Sequence, residues 1–154
     1  KALSWTHGTH RVSNFRPTIA KYIYDNYSGE GRVLDFSSGF GGRLFGAYSS
    51  DSVKTYVGTD PSSPTYSGLC GIRDYMSNHS DKKIILHNSP FEELRFPPKV
   101  FDLAFSSPTY FNTEEYAYEQ SQSFVKFDTK EKWKKGTLNT ETRVSSSQSV
   151  TSII

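Results

Sequence analysis

The chain has 154 residues, a length that suits one domain with a core of its own. Its net charge of +2 excludes a strong overall attraction for polyanions, so any contact with nucleic acid has to come from a local basic patch. The single cysteine, Cys70, excludes an internal disulfide and a cysteine-rich zinc site, and it fits a reducing, cytoplasmic setting. No apolar run is long enough to span a bilayer, so we expect no membrane contact.

The first predicted elements are a polar loop over 1–14 and a helix over 16–27. Pro17 suits the first turn of that helix, because an N–H group at this position would have no partner within the helix. Apolar residues that recur every four positions predict the face that packs on the core. This face comprises Ile19, Ile23 and Tyr27, widened by Ala20 and Tyr24.

Short apolar runs alternate with helical patterns along the middle of the chain. Strands are predicted over 32–36, 53–59, 83–87 and 100–105, and further helices over 43–49 and 66–78. Strands that alternate with helices indicate an α/β fold, in which a parallel sheet of four to five strands carries helices on both faces.

The sequence changes character after residue 125. Residues 126–135, the lysine-rich segment, carry five lysines around Phe127 and Trp133, and about half of the residues beyond Gly136 are Ser or Thr. We therefore predict a domain over 1–125 and a tail over 126–154 with little stable order of its own. The lysines and aromatic rings suit contact with phosphates and bases, and a solvated helix face is the more common arrangement of such a segment.

A glycine-rich turn after the first predicted strand is the first candidate for a ligand site. The strand ends in Asp35, and Gly39 and Gly41 allow the backbone to approach a ligand without a Cβ atom in the way. Ligands of open α/β sheets bind outside the carboxyl ends of the strands. We therefore expect Asp35, Ser37 and the two glycines to line a cleft; the alternative is a turn with a purely structural role.

A second acid, Asp60, ends the second predicted strand and lies 21 residues after Gly39. In dinucleotide-binding folds an acid at about this distance binds the hydroxyls of a ribose. Asp60 could instead cap the next helix, with Pro61 in the first helical position, and both roles are compatible. The third glycine of the nicotinamide fingerprint is absent, because Leu44 stands in its place, and this argues against NAD.

The segment from Asp35 to Gly42, Asp-Phe-Ser-Ser-Gly-Phe-Gly-Gly, resembles the first motif of Rossmann-like S-adenosylmethionine-dependent methyltransferases. Ser107-Pro108-Thr109-Tyr110 is similar to the Asp/Asn/Ser-Pro-Pro-Tyr/Phe motif of those members that methylate exocyclic amines, mainly adenine N6 and cytosine N4 in DNA. It also follows the fourth predicted strand, where that family carries it. The resemblance covers about residues 12–118 and implies a Rossmann-like sheet with S-adenosylmethionine as the cofactor. Thr109 replaces the second proline of the family, which leaves this loop less rigid.

The resemblance also implies roles for individual residues in catalysis. The Ser107 side chain and the Pro108 carbonyl would accept hydrogen bonds from the target amine, and Tyr110 would stack on a base turned out of its helix. In the same family the end of the third strand contacts adenine. There Asn88 would bond the ring edge and Phe91 would pack on its face, unless this is a loop in which Ser89 caps a turn.

An aromatic-proline element precedes the cofactor loop in related enzymes, close to the methionine moiety, and makes Phe15 a further candidate. The alternative for Phe15 is a hydrophobic staple at the start of the first helix. His7 and His10 have no evident third ligand, so no metal site is predicted.

Three hypotheses about function follow. The first is a DNA amino-methyltransferase of a restriction system or a phage. The second is a fragment that binds S-adenosylmethionine without turnover, in keeping with Thr109 and with four predicted strands where the family has seven. The third is methylation of an amine of RNA or of a protein. The sequence does not predict the oligomeric state.

Overall fold

The computed structural model describes residues 14–107, 126, 129–132, 134 and 135. Parallel strands alternate with α-helices in this part of the chain, which confirms the predicted α/β fold. The elements are α1 (Pro17–Tyr27), β1 (Arg32–Asp35), α2 (Gly42–Ser49), β2 (Thr55–Thr59), α3 (Ser63–Met76), β3 (Lys83–His87), a 3-10 turn (Phe91–Glu93) and β4 (Leu103–Ala104). The predicted domain boundary after residue 125 stays a prediction. No helix among the described residues is long and apolar enough to cross a membrane.

The sheet has the order β3-β2-β1-β4, and every described pair of strands is parallel. The chain moves outward from β1 through β2 to β3 and then returns to the other side of β1 with β4. The strand order therefore reverses between β1 and β4. A crevice opens at such a point outside the carboxyl ends of the strands, and this is where ligands of open α/β sheets bind.

Alternation along the strands divides the core into two layers. Val33 of β1 faces the first layer, whereas the next residue, Leu34, faces the second. Side chains of all three described α-helices belong to the first layer, with buried members Ala20, Tyr24, Leu44, Ala47, Tyr48 and Leu69. Within the described residues, these helices therefore cover one face of the sheet.

The other face is covered by the connection from β3 to β4. Its aromatic side chains pack on one another: the ring centroid of Phe96 lies 6.2 Å from that of Phe91 and 5.2 Å from that of Phe101. Phe36 contacts Phe91 from the end of β1, with 5.6 Å between ring centroids. This connection contains the one-turn 3-10 helix and forms the second layer of the core.

The prediction for the core face of α1 is wrong about which residues form the centre of that face. Ala20 and Tyr24 have no exposed surface, whereas Ile19 is 45% and Tyr27 49% exposed. The cause is the close approach of α1 to α2: a Cβ atom added to Gly46 would lie 2.4 Å from the Cβ of Ala20. The small residues set the contact line between the helices, and it runs through Ala20 and Tyr24.

The start of α3 and the length of β4 also differ from the predictions. Helix α3 begins at Ser63, three residues before the predicted start, and its N-cap is Ser62. The interpretation of Asp60 as the cap, with Pro61 in the first helical position, is therefore wrong. Strand β4 was predicted over 100–105 and covers Leu103–Ala104, which form two residue pairs with β1 in the described part of the chain.

Candidate functional site

The turn between β1 and α2 has the open backbone that its glycines predict. Gly39 has a φ of +57° and Gly41 a φ of +86°, which are left-handed conformations that favour glycine. A Cβ atom on Gly39 would meet none of the described residues within 4 Å, so with respect to them this part of the loop borders open space. A Cβ atom on Gly41 would lie 2.6 Å from Ile72 Cδ1. Gly39 therefore faces the crevice and Gly41 packs on α3.

Asp35 lies beneath this loop and has no exposed surface. Its Oδ2 accepts hydrogen bonds from Arg43 Nε at 2.8 Å and from the Tyr56 hydroxyl at 2.7 Å. Its Oδ1 accepts from the Ser106 hydroxyl at 2.9 Å and from the Ser37 backbone N–H at 3.3 Å. Two carboxylate oxygens offer about four acceptor positions, and these four donors fill them. The structure therefore places Asp35 under the predicted cleft, bonded to the chain itself.

Arg43 holds the other end of this buried network and is 4% exposed. Burial lowers the pKa of Arg43, but the Asp35 carboxylate more than offsets this, so the pKa is raised and the guanidinium stays charged. Its Nη2 donates to the Ser37 carbonyl, and its Cζ lies 5.6 Å from the centre of the Phe15 ring. One side chain of α2 thus fixes both the end of β1 and the backbone of the loop.

Asp60 stands at the end of β2 and is 9% exposed. Its Oδ2 accepts the Gly39 N–H at 2.9 Å and its Oδ1 accepts the Ser62 N–H at 3.0 Å. Burial raises the pKa of Asp60, against the lowering effect of the two N–H groups. Each oxygen keeps acceptor capacity after these bonds. Asp60 thus lies against the glycine loop, and its carboxylate keeps unused acceptor positions among the described residues.

The loop after β3 lies beside Asp60. In the orientation that satisfies its neighbours, the Asn88 amide nitrogen is 3.2 Å from the carbonyl oxygens of both Asp60 and Pro61. Asn88 is exposed; its two N–H groups are used by these carbonyls, and its amide oxygen accepts from the Ser63 hydroxyl at 3.3 Å and keeps one further acceptor position. Phe91 is only 7% exposed and packs in the second layer of the core. The structure thus places Asn88 at the site and Phe91 behind it.

Ser107 reaches the crevice from the end of β4, on the other side of the point where the strand order reverses. It is exposed, and its carbonyl oxygen accepts a hydrogen bond from the Ser37 hydroxyl at 2.8 Å. The predicted partners of Ser107 in catalysis, Pro108 and Tyr110, lie outside the described residues, as does Thr109.

Phe15 contacts the site from beneath. Its ring lies edge-on to Phe105 with 5.4 Å between ring centroids, and it covers the guanidinium of Arg43. Phe15 is half-buried in these contacts, which place it under the loop and connect α1 to the site.

Sequence reasoning missed several residues that shape the site. Besides Arg43, these include Tyr56, Ser106 and Asn14, whose Oδ1 accepts the Gly42 N–H at 2.9 Å. A Cβ atom on Gly42 would lie 1.9 Å from the Phe15 carbonyl oxygen, so the segment before α1 is pressed against the start of α2. The one local signal was a charged residue, Arg43, in a helix whose other residues are mostly apolar.

No family model matches this sequence, and no curated protein matches it. Solved structures share its fold. The chain is similar to the cyclopropane synthase of Mycobacterium tuberculosis, with 17% identity, a TM-score of 0.50 and coverage of 63% of this chain and 32% of that one. It is also similar to a tRNA methyltransferase of Aquifex aeolicus, with 22% identity, a TM-score of 0.50 and coverage of 64% and 40%. The chain thus has the Rossmann-like fold found in methyltransferases, and it spans less than half the length of these two proteins.

Proposed function

We propose that this chain binds S-adenosylmethionine at the carboxyl edge of its sheet and transfers the methyl group to an exocyclic amine of a nucleic-acid base. The observation that carries this proposal is the 2.8 Å hydrogen bond between Ser37 and Ser107. It joins the glycine loop after β1 to the first residue of the amine-binding motif after β4. Donor and acceptor loops thus meet in the crevice where the strand order reverses.

The residues at the crevice fit this cofactor. Asp60 retains acceptor capacity on both carboxylate oxygens, as two ribose hydroxyls require. Gly39 borders open space, so a ligand can approach its backbone. Asn88 is exposed beside Asp60, and its amide oxygen keeps one acceptor position for an amino group at the edge of a purine ring. Asp35 contributes from below by fixing the loop.

When bound, the cofactor supplies a methyl group on a sulfonium, whose C–S bond breaks as the N–C bond forms. The residues of this chain orient the amine for that step. The Ser107 hydroxyl and the Pro108 carbonyl accept its two N–H groups, so that its lone pair points at the methyl carbon. Tyr110 stacks on the base, and the extra proton leaves the nitrogen for solvent after transfer. Catalysis of this kind relies mainly on positioning.

A nucleic-acid substrate is favoured by the charge of the lysine-rich segment. This segment contains five of the 18 basic residues and two of the 16 acidic ones, so its own positive net charge is larger than the +2 of the whole protein. Lys126 Nζ lies 2.7 Å from Glu92 and 3.4 Å from Glu93, which anchors the segment next to the loop after β3. The side chains of Lys130, Lys134 and Lys135 are exposed. Phosphates are the natural partners of such a cluster.

DNA is the proposed form of this substrate on the strength of the Ser-Pro-Thr-Tyr motif alone, since the similar structures are a cyclopropane synthase and a tRNA methyltransferase. A second candidate is cofactor binding without turnover. The observation in its favour is Thr109, which replaces a proline that stiffens the amine-binding loop.

Calorimetric titration with S-adenosylmethionine and S-adenosylhomocysteine tests the cofactor site. We expect both to bind, and Asp60→Asn to weaken binding by about tenfold, the effect of losing a hydrogen bond to a charged group. Asp74→Asn, an exposed acid on α3, is the matched control and leaves the affinity unchanged. A folded wild-type chain that binds neither compound would refute the proposal.

Methyl transfer from labelled cofactor then identifies the substrate. Single-stranded DNA, duplex DNA, RNA and protein are compared in parallel with wild type and Tyr110→Ala. We expect label in DNA with wild type only. Label in RNA or protein instead would reassign the substrate, and cofactor binding with no label in any of them would favour the second candidate.

A further inference from the structure

A single hydroxyl group links the loops that follow β1 and β4. Ser106 is 5% exposed, and its Oγ lies 2.9 Å from Asp35 Oδ1 and 2.6 Å from Ser37 Oγ. The Ser37 hydroxyl in turn donates to the Ser107 carbonyl oxygen at 2.8 Å. These groups form a continuous hydrogen-bonded chain from the buried end of β1 to the residue that precedes Pro108.

The hydroxyl groups of Ser37 and Ser106 supply two hydrogen atoms for the three oxygen–oxygen contacts of this hydrogen-bonded chain. Two further donors reach the other oxygen of Asp35, so its carboxylate acts only as an acceptor. Ser106 therefore gives its single hydroxyl hydrogen to Asp35. Ser37 is left to donate its own hydrogen to the Ser107 carbonyl, with the Ser106 oxygen as a second acceptor. Removing the Ser106 hydroxyl thus takes a donor from Asp35 and an acceptor from Ser37.

The last acceptor in this series of hydrogen bonds is the Ser107 carbonyl, and its orientation depends on the bond that it accepts. The peptide bond between Ser107 and Pro108 is planar and has no N–H group, so the carbonyl oxygen is its only polar atom. A hydrogen bond to that oxygen fixes the plane of the peptide. It thereby sets the direction in which the backbone enters the amine-binding loop.

We propose that Ser106 is a positioning residue that couples the cofactor loop to the amine-binding loop. This inference rests on the proposed function. The Ser106 oxygen lies 2.6 Å from Ser37 Oγ and holds that side chain on the side of β4, within reach of the Ser107 carbonyl. A ligand that fixes the glycine loop therefore also fixes the Ser107 carbonyl. Each ligand then lowers the cost of binding its partner, and the effect is the same in both directions.

The test compares the affinity for S-adenosylhomocysteine with and without a saturating single-stranded DNA oligonucleotide of mixed sequence. Calorimetry on the full chain gives the ratio of the two dissociation constants for wild type, Ser106→Ala and Ser50→Ala. Ser50 is the matched control, because it is 1% exposed and donates to the Asp25 carboxylate at 2.5 Å, beyond the other end of α2. Both variants lose a bond from a buried hydroxyl to a carboxylate, and the Asp25 carboxylate is the more exposed of the two.

We expect the oligonucleotide to strengthen cofactor binding about fivefold in wild type and in Ser50→Ala. In Ser106→Ala this ratio falls to about one. At the half-buried Ser37, Ser37→Ala also loses the coupling and Ser37→Thr, which keeps a hydroxyl, retains it.

A wild-type ratio in Ser106→Ala, or an equal loss in Ser50→Ala, overturns the inference. So does a wild-type chain that binds both ligands without coupling, and that result leaves the proposed function standing. A wild-type chain that binds neither ligand refutes the proposed function and the coupling together.

Discussion

The buried ion pair between Arg43 and Asp35 is the source of the largest mutational effect that we expect. The two side chains are 4% and 0% exposed, and Arg43 Nε lies 2.8 Å from Asp35 Oδ2. The guanidinium also donates to the Ser37 carbonyl. Replacing Arg43 with Met keeps much of the length of the side chain and removes both donors and the charge.

The expected loss of unfolding free energy follows from the interactions that Asp35 keeps after the substitution. After Arg43→Met, Tyr56 is the one donor to Asp35 Oδ2 that remains among residues 14–107, and the buried negative charge has lost its counter-ion. Removing one partner of a buried ion pair costs about 3–5 kcal/mol. The free energy of unfolding of a whole domain is about 5–15 kcal/mol. We therefore expect Arg43→Met to remove a large fraction of the stability of this fold.

Urea unfolding followed by circular dichroism measures this loss. Arg73→Met is the control, because Arg73 and Asp74 form a surface pair with side chains 36% and 66% exposed, and such pairs contribute about 0–1 kcal/mol. The double variant Arg43→Met with Asp35→Asn is expected to recover part of the loss, since no unpaired charge is then buried. If Arg43→Met costs no more than Arg73→Met, the pair is not desolvated and the reasoning fails.

Three further predictions concern pH and packing. Burial raises the pKa of Asp60 above its ordinary value of 3.8, so calorimetry is expected to show cofactor affinity rising with pH as this acid ionises, and Asp60→Asn removes that dependence. The hydrogen bond from Arg32 lowers the pKa of Asp102 in the folded state; the carboxylate therefore stabilises the fold at neutral pH and loses this contribution as the pH falls below 3.8. In urea titrations Asp102→Asn should thus cost about 1 kcal/mol at neutral pH and much less in acid. Gly42→Ala should cost about 1–3 kcal/mol, because the new methyl group meets backbone at 1.9 Å, whereas Gly68→Ala, with nothing within 4 Å, should stabilise α3 by about 0.5–1 kcal/mol.

The sheet could be predicted from the sequence because its strands leave a clear pattern. Strand β3 is apolar at Ile84, Ile85 and Leu86, which pack alternately on the first and second layers of the core, and its predicted bounds are confirmed. The core face of α1 could not be predicted in the same way. A spacing of four residues fits the row through Ile19 as well as the row through Ala20. The choice between them depends on Gly46, which lies on another helix and is distant in sequence.

The sequence predicts where in the sheet the candidate site lies, but it does not predict most of the contacts between its side chains. The position of Asp35 at the end of a strand correctly predicts that it lies at the carboxyl edge of the sheet. Its burial depends on Arg43, which reaches back from the first turn of α2, and on Ser106, which is 71 residues away. No local pattern contains such pairings, because they form only when β4 returns to the side of β1.

The two acids at the strand ends differ in how many donors the chain itself supplies. Asp35 has four, and its acceptor positions are filled. Within the part of the chain that the structure describes, Asp60 has two, which leaves each of its oxygens able to accept one more. A ligand with two hydroxyl groups in the crevice can therefore bind Asp60 directly, whereas Asp35 acts on that ligand only through the shape of the loop. Substitutions of Asp35 should then change cofactor affinity and stability together, and substitutions of Asp60 should change mainly the affinity.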